Sequence, residues 1–388
     1  MDVWWLITLR YIRNRALILD LMKISRRMAV LRSMAFIIFL VVNPFWGCAP
    51  KKDLAAEEKS SSKPSWFQIA VLPDTQCYVS GKLNGKMEDF EQQIEWIRQN
   101  QKTENIAYVV HLGDVSQNGE KELVEWERAR NVMYRLEVPL PGLPEGIPYG
   151  VAVGNHDTTP RGMPLRMENG FKKSFSRSHF LGKSYYGGSI HSREENDCHY
   201  DLFEAAGEKF IVLYLAYNQP SKPRYDAAYD QEMFAWGGKV LQQFRDRKAI
   251  LVCHSILGRP AGSESDYKAD IGNGVSRSKF TSQGKNVYNF SKHHPNIFMM
   301  LCGHVSGEGY RVDTFEGHTI KSYLSDFSSR RNPPYREEDS NGGNGLMRLM
   351  KINPSKETLH VRTIAPRKDG KHIWEEDEDS QFIHELYN

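Results

Sequence analysis

The side chains able to do chemistry gather in five short stretches. The apolar run FQIAVLPDTQCYV (67–79) ends in Asp74 and Gln76, two residues apart. On an extended strand that spacing puts both on one face, aimed together beyond the strand's end. Further along, HLGDVSQNG supplies Asp114, VAVGNHD supplies Asn155, His156 and Asp157, LVCHS supplies His254, and MLCGHVSG supplies His304. Carboxylates, an amide oxygen and imidazoles are the donors divalent cations take, and one carboxylate shared by two ions holds them at the separation used for in-line phosphoryl displacement. Gly113 and Gly303 directly precede two of the candidates, where a backbone without Cβ can turn sharply toward an ion.

Each stretch follows an apolar run of strand length. Strands are expected at 67–72, 106–112, 147–153, 210–216, 249–253, 297–302 and 319–324, with helical periodicity at 87–101, 120–134, 227–247 and 283–293. This alternation predicts an α/β fold, in which ligand sites lie outside the carboxyl ends of the strands. Two segments, 199–217 around Gly207 and LMRLMKINPSKETLHVRTIAP, instead predict hairpins, so the sheets should be mixed. The Gly/Ser-rich stretches 158–197 and 257–281 carry no assignable element and are expected to border a functional site.

The ordered set D-x-Q, G-D-x-x-x-N-G, G-N-H-D, H and G-H resembles the calcineurin-like metallophosphoesterases, over roughly residues 66–366, and its DTQ opening resembles a branch with glutamine in place of the usual second-position histidine. The GNHD after a strand, about forty residues beyond GD, is the most specific element. The resemblance implies a four-layer αββα sandwich and two divalent ions, from among Mn, Mg, Ca, Fe and Zn. It implies that Asp114 bridges them, that Asp74 and Gln76 belong to the first, and that Asn155, His254 and His304 bind the second. It also implies that His156 approaches the scissile phosphate as general acid or charge stabiliser, with a hydroxide held between the ions as nucleophile. Asp157 is the adjacent group expected to orient His156. Arg161 and Arg259 are placed to contact a phosphate-ester substrate.

The departures are informative. Gln76 and Ser306 stand where the family carries imidazoles for the first ion, so that position is built almost wholly from oxygen and should favour hard ions over Zn²⁺. Gln117 and Asn118 stand where the protein-phosphatase branch has an acid and an arginine. Two functions are therefore weighed: a hydrolase of phosphomonoesters or phosphodiesters, and a degenerate, membrane-tethered binding protein with one ion and no turnover. His111, inside an apolar run, and Trp126, on a helical stripe, are expected to serve packing.

Bulk properties set the remaining bounds. The chain has 388 residues, 40% of them hydrophobic, enough for a large core. Residues 1–47 hold seven Lys/Arg against two acids, so the net charge of +3 conceals a slightly acidic remainder, and nucleic acid is not an expected partner. The basic cluster precedes AFIIFLVVNPFWGCAP, whose apolar run is too short to span a bilayer and has the layout of a signal peptide ending in a lipoprotein-like Cys48. Residues 1–47 are thus expected to be a leader, with 1–21 an upstream extension, 48–65 a flexible tether and 66–388 the metallophosphoesterase domain, exported to the cell envelope and lipid-anchored at Cys48. Cys77, Cys198, Cys253 and Cys302 show no metal spacing and are expected as packed thiols.

Overall fold

A computed structural model describes residues 64–163, 170–190, 196–260, 278–330 and 337–387. The expected leader and nearly all of the tether lie outside the described residues. Residues 62–388 form one unit.

The strands are β1 Phe67–Leu72, β2 Ile106–His111, β3 Tyr149–Val151, β4 Tyr186–Ser189, β5 His199–Ala205, β6 Glu208–Leu215, β7 Lys248–Cys253 and β8 Leu257–Pro260. They continue with β9 Ser278–Phe280, β10 Ile297–Cys302, β11 Gly307–Phe315, β12 His318–Asp326, β13 Met347–Asn353, β14 Thr358–Ala365, β15 Ile373–Glu375 and β16 Phe382–Glu385. Among the described residues they form two seven-stranded sheets. One runs β15-β14-β13-β1-β2-β3, with β16 also on β14, and the other runs β11-β12-β10-β7-β6-β5-β4. Strands β8 and β9 pair as a separate ribbon.

The helices are α1 Gln76–Ser80, α2 Met87–Asn100, α3 Leu123–Met133, α4 Gly170–Ser174, α5 Arg177–Phe180, α6 Ala227–Gln243 and α7 Ser282–Ser291. In α2 the buried Phe90, Ile94 and Ile97 recur at helical spacing and turn inward. Helix α6 starts where Asp226 accepts the N–H of Tyr229 at 3.1 Å, and α7 where Thr281 Oγ1 accepts that of Gly284 at 2.9 Å.

The period-two alternation of the strands sorts these side chains into three cores. Phe67, Ile69 and Val71 of β1 face Val212 of β6, Val252 of β7 and Leu301 of β10 between the sheets. Ala70 and Leu72 face the opposite way, into a core with α2 and α3. On the far side Leu213, Leu251 and Met300 pack with Met233 and Leu241 of α6 and Val287 of α7. The layers are therefore helix, sheet, sheet and helix, the sandwich expected. A strand buried on both faces must be apolar throughout, which is why the central strands read as unbroken hydrophobic runs.

Strands β1, β2 and β3 are mutually parallel, as are β6, β7, β10 and β12 in order. The hairpins β5–β6 and β13–β14 are antiparallel, so both sheets are mixed. Strands β4, β8, β9, β11, β15 and β16 have no counterpart among the expected elements, and α4, α5, β4, β8 and β9 occupy the stretches 158–197 and 257–281 expected to carry none, because short or partly polar segments lack the apolar signature. The four cysteines after residue 48 are buried free thiols. Trp126 is buried, with Nε1 donating to the Gly119 carbonyl at 2.9 Å.

An ion pair ties the two sheets together. Arg348 of β13 is 1% exposed, and its Nη2 meets Oε1 of Glu308, on β11 of the other sheet, at 2.5 Å. Its Nη1 donates to the Leu324 carbonyl at 3.3 Å. Without Arg348, Glu308 keeps Arg330 Nη2 at 3.0 Å and Ser380 Oγ at 2.7 Å, so the loss falls at the low end for breaking a buried pair. We expect Arg348→Ala to lower the unfolding free energy by about 3 kcal/mol, seen as a lower urea midpoint at unchanged slope.

Candidate active site

The parallel strands of both sheets end at one edge, and the polar stretches follow there. Strand β1 ends at Leu72, so Asp74 lies in the following loop and Gln76 opens α1. The pair is thus joined by a loop-to-helix turn and not by the pleat of one strand, as the spacing alone suggested. The helix also brings Gln76 N–H to the Asp114 carbonyl at 2.9 Å, tying the first polar stretch to the second. Asp74 is 1% exposed, and its carboxylate oxygens accept the backbone N–H of His304 at 3.3 and 3.2 Å. A Cβ on Gly303 would stand 2.0 Å from Asp74 Oδ1, so only glycine lets this loop approach the carboxylate.

Asp114 and His304 both hold left-handed backbone conformations, with φ of 48° and 72°. Non-glycine residues sit there at a cost, and such strain concentrates at functional sites. Gly113, at φ 99°, makes the turn before Asp114 possible. Asp114 is 2% exposed, and its Oδ1 accepts the N–H of His156 at 2.9 Å.

His254 is fully buried. Its Nδ1–H donates to the Leu112 carbonyl at 2.8 Å, which leaves the lone pair on Nε2. Nε2 lies 3.3 Å from Asp114 Oδ2 without hydrogen-bonding geometry. Two electron-rich atoms face each other there, an arrangement that calls for a proton or a cation. One ligand atom from each of Asp114, His254 and His304 lies within 4.8 Å of the others. Gln76 Oε1 and Asn155 Oδ1 are buried with no hydrogen-bond partner and line the same cavity, of about 260 Å³, with Asp114 and His304. Oxygen and imidazole donors, several of them otherwise unpaired, are what a divalent cation requires, so the residues fit the group the sequence implied.

Asp114 and His304 are held in the proton-free form a cation needs, whereas Asp74 and His254 are pushed toward keeping a proton. Burial would raise the Asp114 carboxyl, but His254, His156 and His304 hold it well below the usual range. Burial, and then His254, lower His304 to about 3, leaving it neutral. Burial opposes protonation of His254, yet Asp114 beside it carries its pKa above the ordinary value. Asp74 is raised by burial and next by Asp326 and Asp114, the mark of carboxylates crowded together.

His156 is oriented by a backbone carbonyl and not by the carboxylate beside it in sequence. Its Nδ1 donates to Gln117 O at 2.7 Å, and the Gln117 amide lies 3.0 Å away. Asp157 instead accepts the N–H groups of Gly154, Val115 and Ser116 at 2.9, 3.2 and 3.0 Å. It therefore braces the two loops that carry Asp114 and Asn155, and burial, followed by Asp114, pushes its carboxyl up to about 7. Arg161 Nη2 contacts His156 Nε2. The side chain of Arg259, on β8, lies outside what is described. His111 is buried, bonded to Thr75 Oγ1 and Gly113 N, and supports the loops without joining the donor set.

Two contributors escaped the sequence. Glu125 of α3, 4% exposed, accepts the N–H of Gln117 and Asn118 at 2.8 and 2.7 Å and the Asn118 amide at 2.9 Å. Its only signal is an acid beside Trp126 on an apolar stripe. Asp326, 3% exposed, borders the same cavity. The expected strand 319–324 stops two residues short of it.

The family model for calcineurin-like phosphoesterases matches residues 67–307. The chain belongs to this family. The curated relatives include the uncharacterized protein YvnB of Bacillus subtilis (strain 168), 27% identical over 334 residues. These make up 84% of this chain and 22% of YvnB, so the chain spans about a fifth of that relative's length. Solved structures with similarity include GAP50, the anchor in the inner membrane complex of Plasmodium, at a TM-score of 0.44 and 11% identity, covering 83% of this chain and 89% of that one. A dimetal phosphatase from Danio rerio gives 0.44 and 12%, covering 76% and 95%. The family membership rests on the matched model.

The bracing role of Asp157 is testable by denaturation. Asp157→Ala should cost about 3 kcal/mol, since it orphans three buried donors at about 1 kcal/mol or more each. Asp157→Asn, which keeps one acceptor oxygen, should lose about half of that. Equal losses in both variants would show that the charge, and not the accepted hydrogen bonds, is what counts.

Proposed function

We propose that this calcineurin-like phosphoesterase is a metal-dependent hydrolase of phosphate esters, its ions held by Asp74, Gln76, Asp114, Asn155, His254 and His304. The observation that carries this reading is the meeting of Asp114, His254 and His304 ligand atoms within 4.8 Å, beside the unpaired oxygens of Gln76 and Asn155. Two divalent ions there would activate a water and neutralise charge developing on the phosphoryl oxygens.

The chain's own residues supply the rest. Asp114 is the carboxylate placed to be shared, because its Oδ1 is held by His156 N–H while Oδ2 faces His254. With Nδ1–H committed to the Gln117 carbonyl, His156 has Nε2, in contact with Arg161 Nη2, as the nitrogen able to pass a proton to a departing ester oxygen once substrate takes over that arginine. The Gln117 carbonyl thus takes over the orienting role that an acid has in the protein-phosphatase branch. Arg161, Lys222 and Arg224 line a cavity of about 500 Å³ that shares Asn155 with the metal cavity. None of the three pairs with a carboxylate among the described residues, which suits an anionic substrate arriving along that wall.

Asn155→Ala should keep the fold and lose about 100-fold or more of metal-stimulated turnover, assayed with chromogenic phosphomonoesters and diesters in Mn²⁺, Mg²⁺, Ca²⁺ and Zn²⁺. Full activity in that variant would refute the assignment. The acid role of His156 predicts a pH profile. Burial, and to a smaller extent Arg161, hold the imidazole below its ordinary pKa, so activity should fall as pH rises through that lowered value. In Arg161→Ala a cation that favours the neutral ring is gone, and the falling limb should move to higher pH. An unmoved limb would remove His156 from proton transfer.

A further inference from the structure

The first ion position lacks two imidazoles, at Gln76 and Ser306, and the tertiary structure brings a carboxylate to the same place. Strand β12 runs parallel to β10 with Leu324 opposite Cys302, so Asp326 lies level with His304, two residues beyond each. Strand β12 also runs antiparallel to β11, where Asp326 is the partner of Gly307, next to Ser306. The two registers therefore seat Asp326 beside the position where the motif has serine in place of histidine. Its side chain is 3% exposed, and Oδ1 accepts the N–H of Ser328 at 2.8 Å.

Asp326, Asp114, Gln76, His304 and Ser306 border one cavity of about 260 Å³. Asp74 and Asp326 are both buried, 1% and 3% exposed. Carboxylates withdrawn from water and crowded together repel unless a cation lies among them. Two further observations point to such a ligand. Gln76 Oε1 is buried without a hydrogen-bond partner at this cavity. His254, fully buried, turns an Nε2 without a hydrogen bond toward the shared Asp114.

We propose that Asp326 is a ligand of the first metal position, replacing in oxygen what Gln76 and Ser306 lack in nitrogen. The first position is then Asp74, Gln76, Asp114 and Asp326, an all-oxygen set suited to Mn²⁺, Mg²⁺ or Ca²⁺. This rests on the phosphoesterase reading, and the experiment separates the two.

The full-length protein, stripped and reloaded with Mn²⁺, is measured for bound manganese per chain and by electron paramagnetic resonance, where two ions sharing a carboxylate give a coupled signal. Wild type should hold two ions with the coupled signal. Asp326→Asn should hold one, weaken the second by about 10- to 100-fold, and show an uncoupled spectrum. Asp326→Glu, which keeps the carboxylate, should recover part of the second ion, and circular dichroism on both variants reports folding. Two coupled ions in Asp326→Asn at wild-type affinity would overturn the proposal, as would a single ion in wild type. If Asp326→Asn is unfolded, Asp326→Ser decides: a folded Ser variant holding one ion supports the ligand role, and one holding two coupled ions at wild-type affinity overturns it. Turnover lost in Asn155→Ala, alongside unchanged manganese binding in Asp326→Asn, would leave the phosphoesterase reading standing and this inference refuted.

Discussion

A carboxylate removed from water must be compensated, and the fold is arranged around one that is. Asp114 is 2% exposed, yet His254, His156 and His304 keep it ionised. Those partners come from β3, β7 and β10, two of which belong to the other sheet. The site therefore exists only when both sheets are stacked. The compensation is mutual, since Asp114 in turn raises His254 and its Oδ1 holds the backbone of His156.

The sandwich makes this possible by burying its central strands on both faces. Apolar burial contributes about 25 cal/mol per Å², and three cores supply it, one between the sheets and one under each helical layer. That stability supports local costs at the edge: left-handed backbone at Asp114 and His304, and crowded acids at Asp74, Asp114 and Asp326. Asp114 and His304 lie three and two residues past the ends of β2 and β10, and Asp326 closes β12. Rigid strands with short loops at their ends hold the donors in place more firmly than long loops would.

Much of this could be read in the chain. All seven expected apolar runs are strands within two residues of their expected bounds, and the donor types after five of them announced a cation site. What was misjudged is instructive. Asp157 follows His156 in sequence, but consecutive side chains in a tight loop diverge, and the carboxylate reaches back to three amides from two loops. The orienting group of His156 is a backbone carbonyl, which carries no sequence signature. Glu125 acts through amides of Gln117 and Asn118, contacts set by how α3 lies against the loop.

The sequence by itself determined the class of chemistry and the class of fold. Donor identity is written in residue type, and strand periodicity and strand-end position are local properties. Only the tertiary structure decided which donors meet. That depends on the parallel register of β10 with β12 and the antiparallel register of β11 with β12, and a shift of one residue in either would turn Asp326 to the other face of its sheet. The β11–β12 register is fixed locally by the two-residue turn Glu316–Gly317, whereas that of β10 with β12 joins strands separated by the whole of β11, and no local pattern in the sequence encodes it.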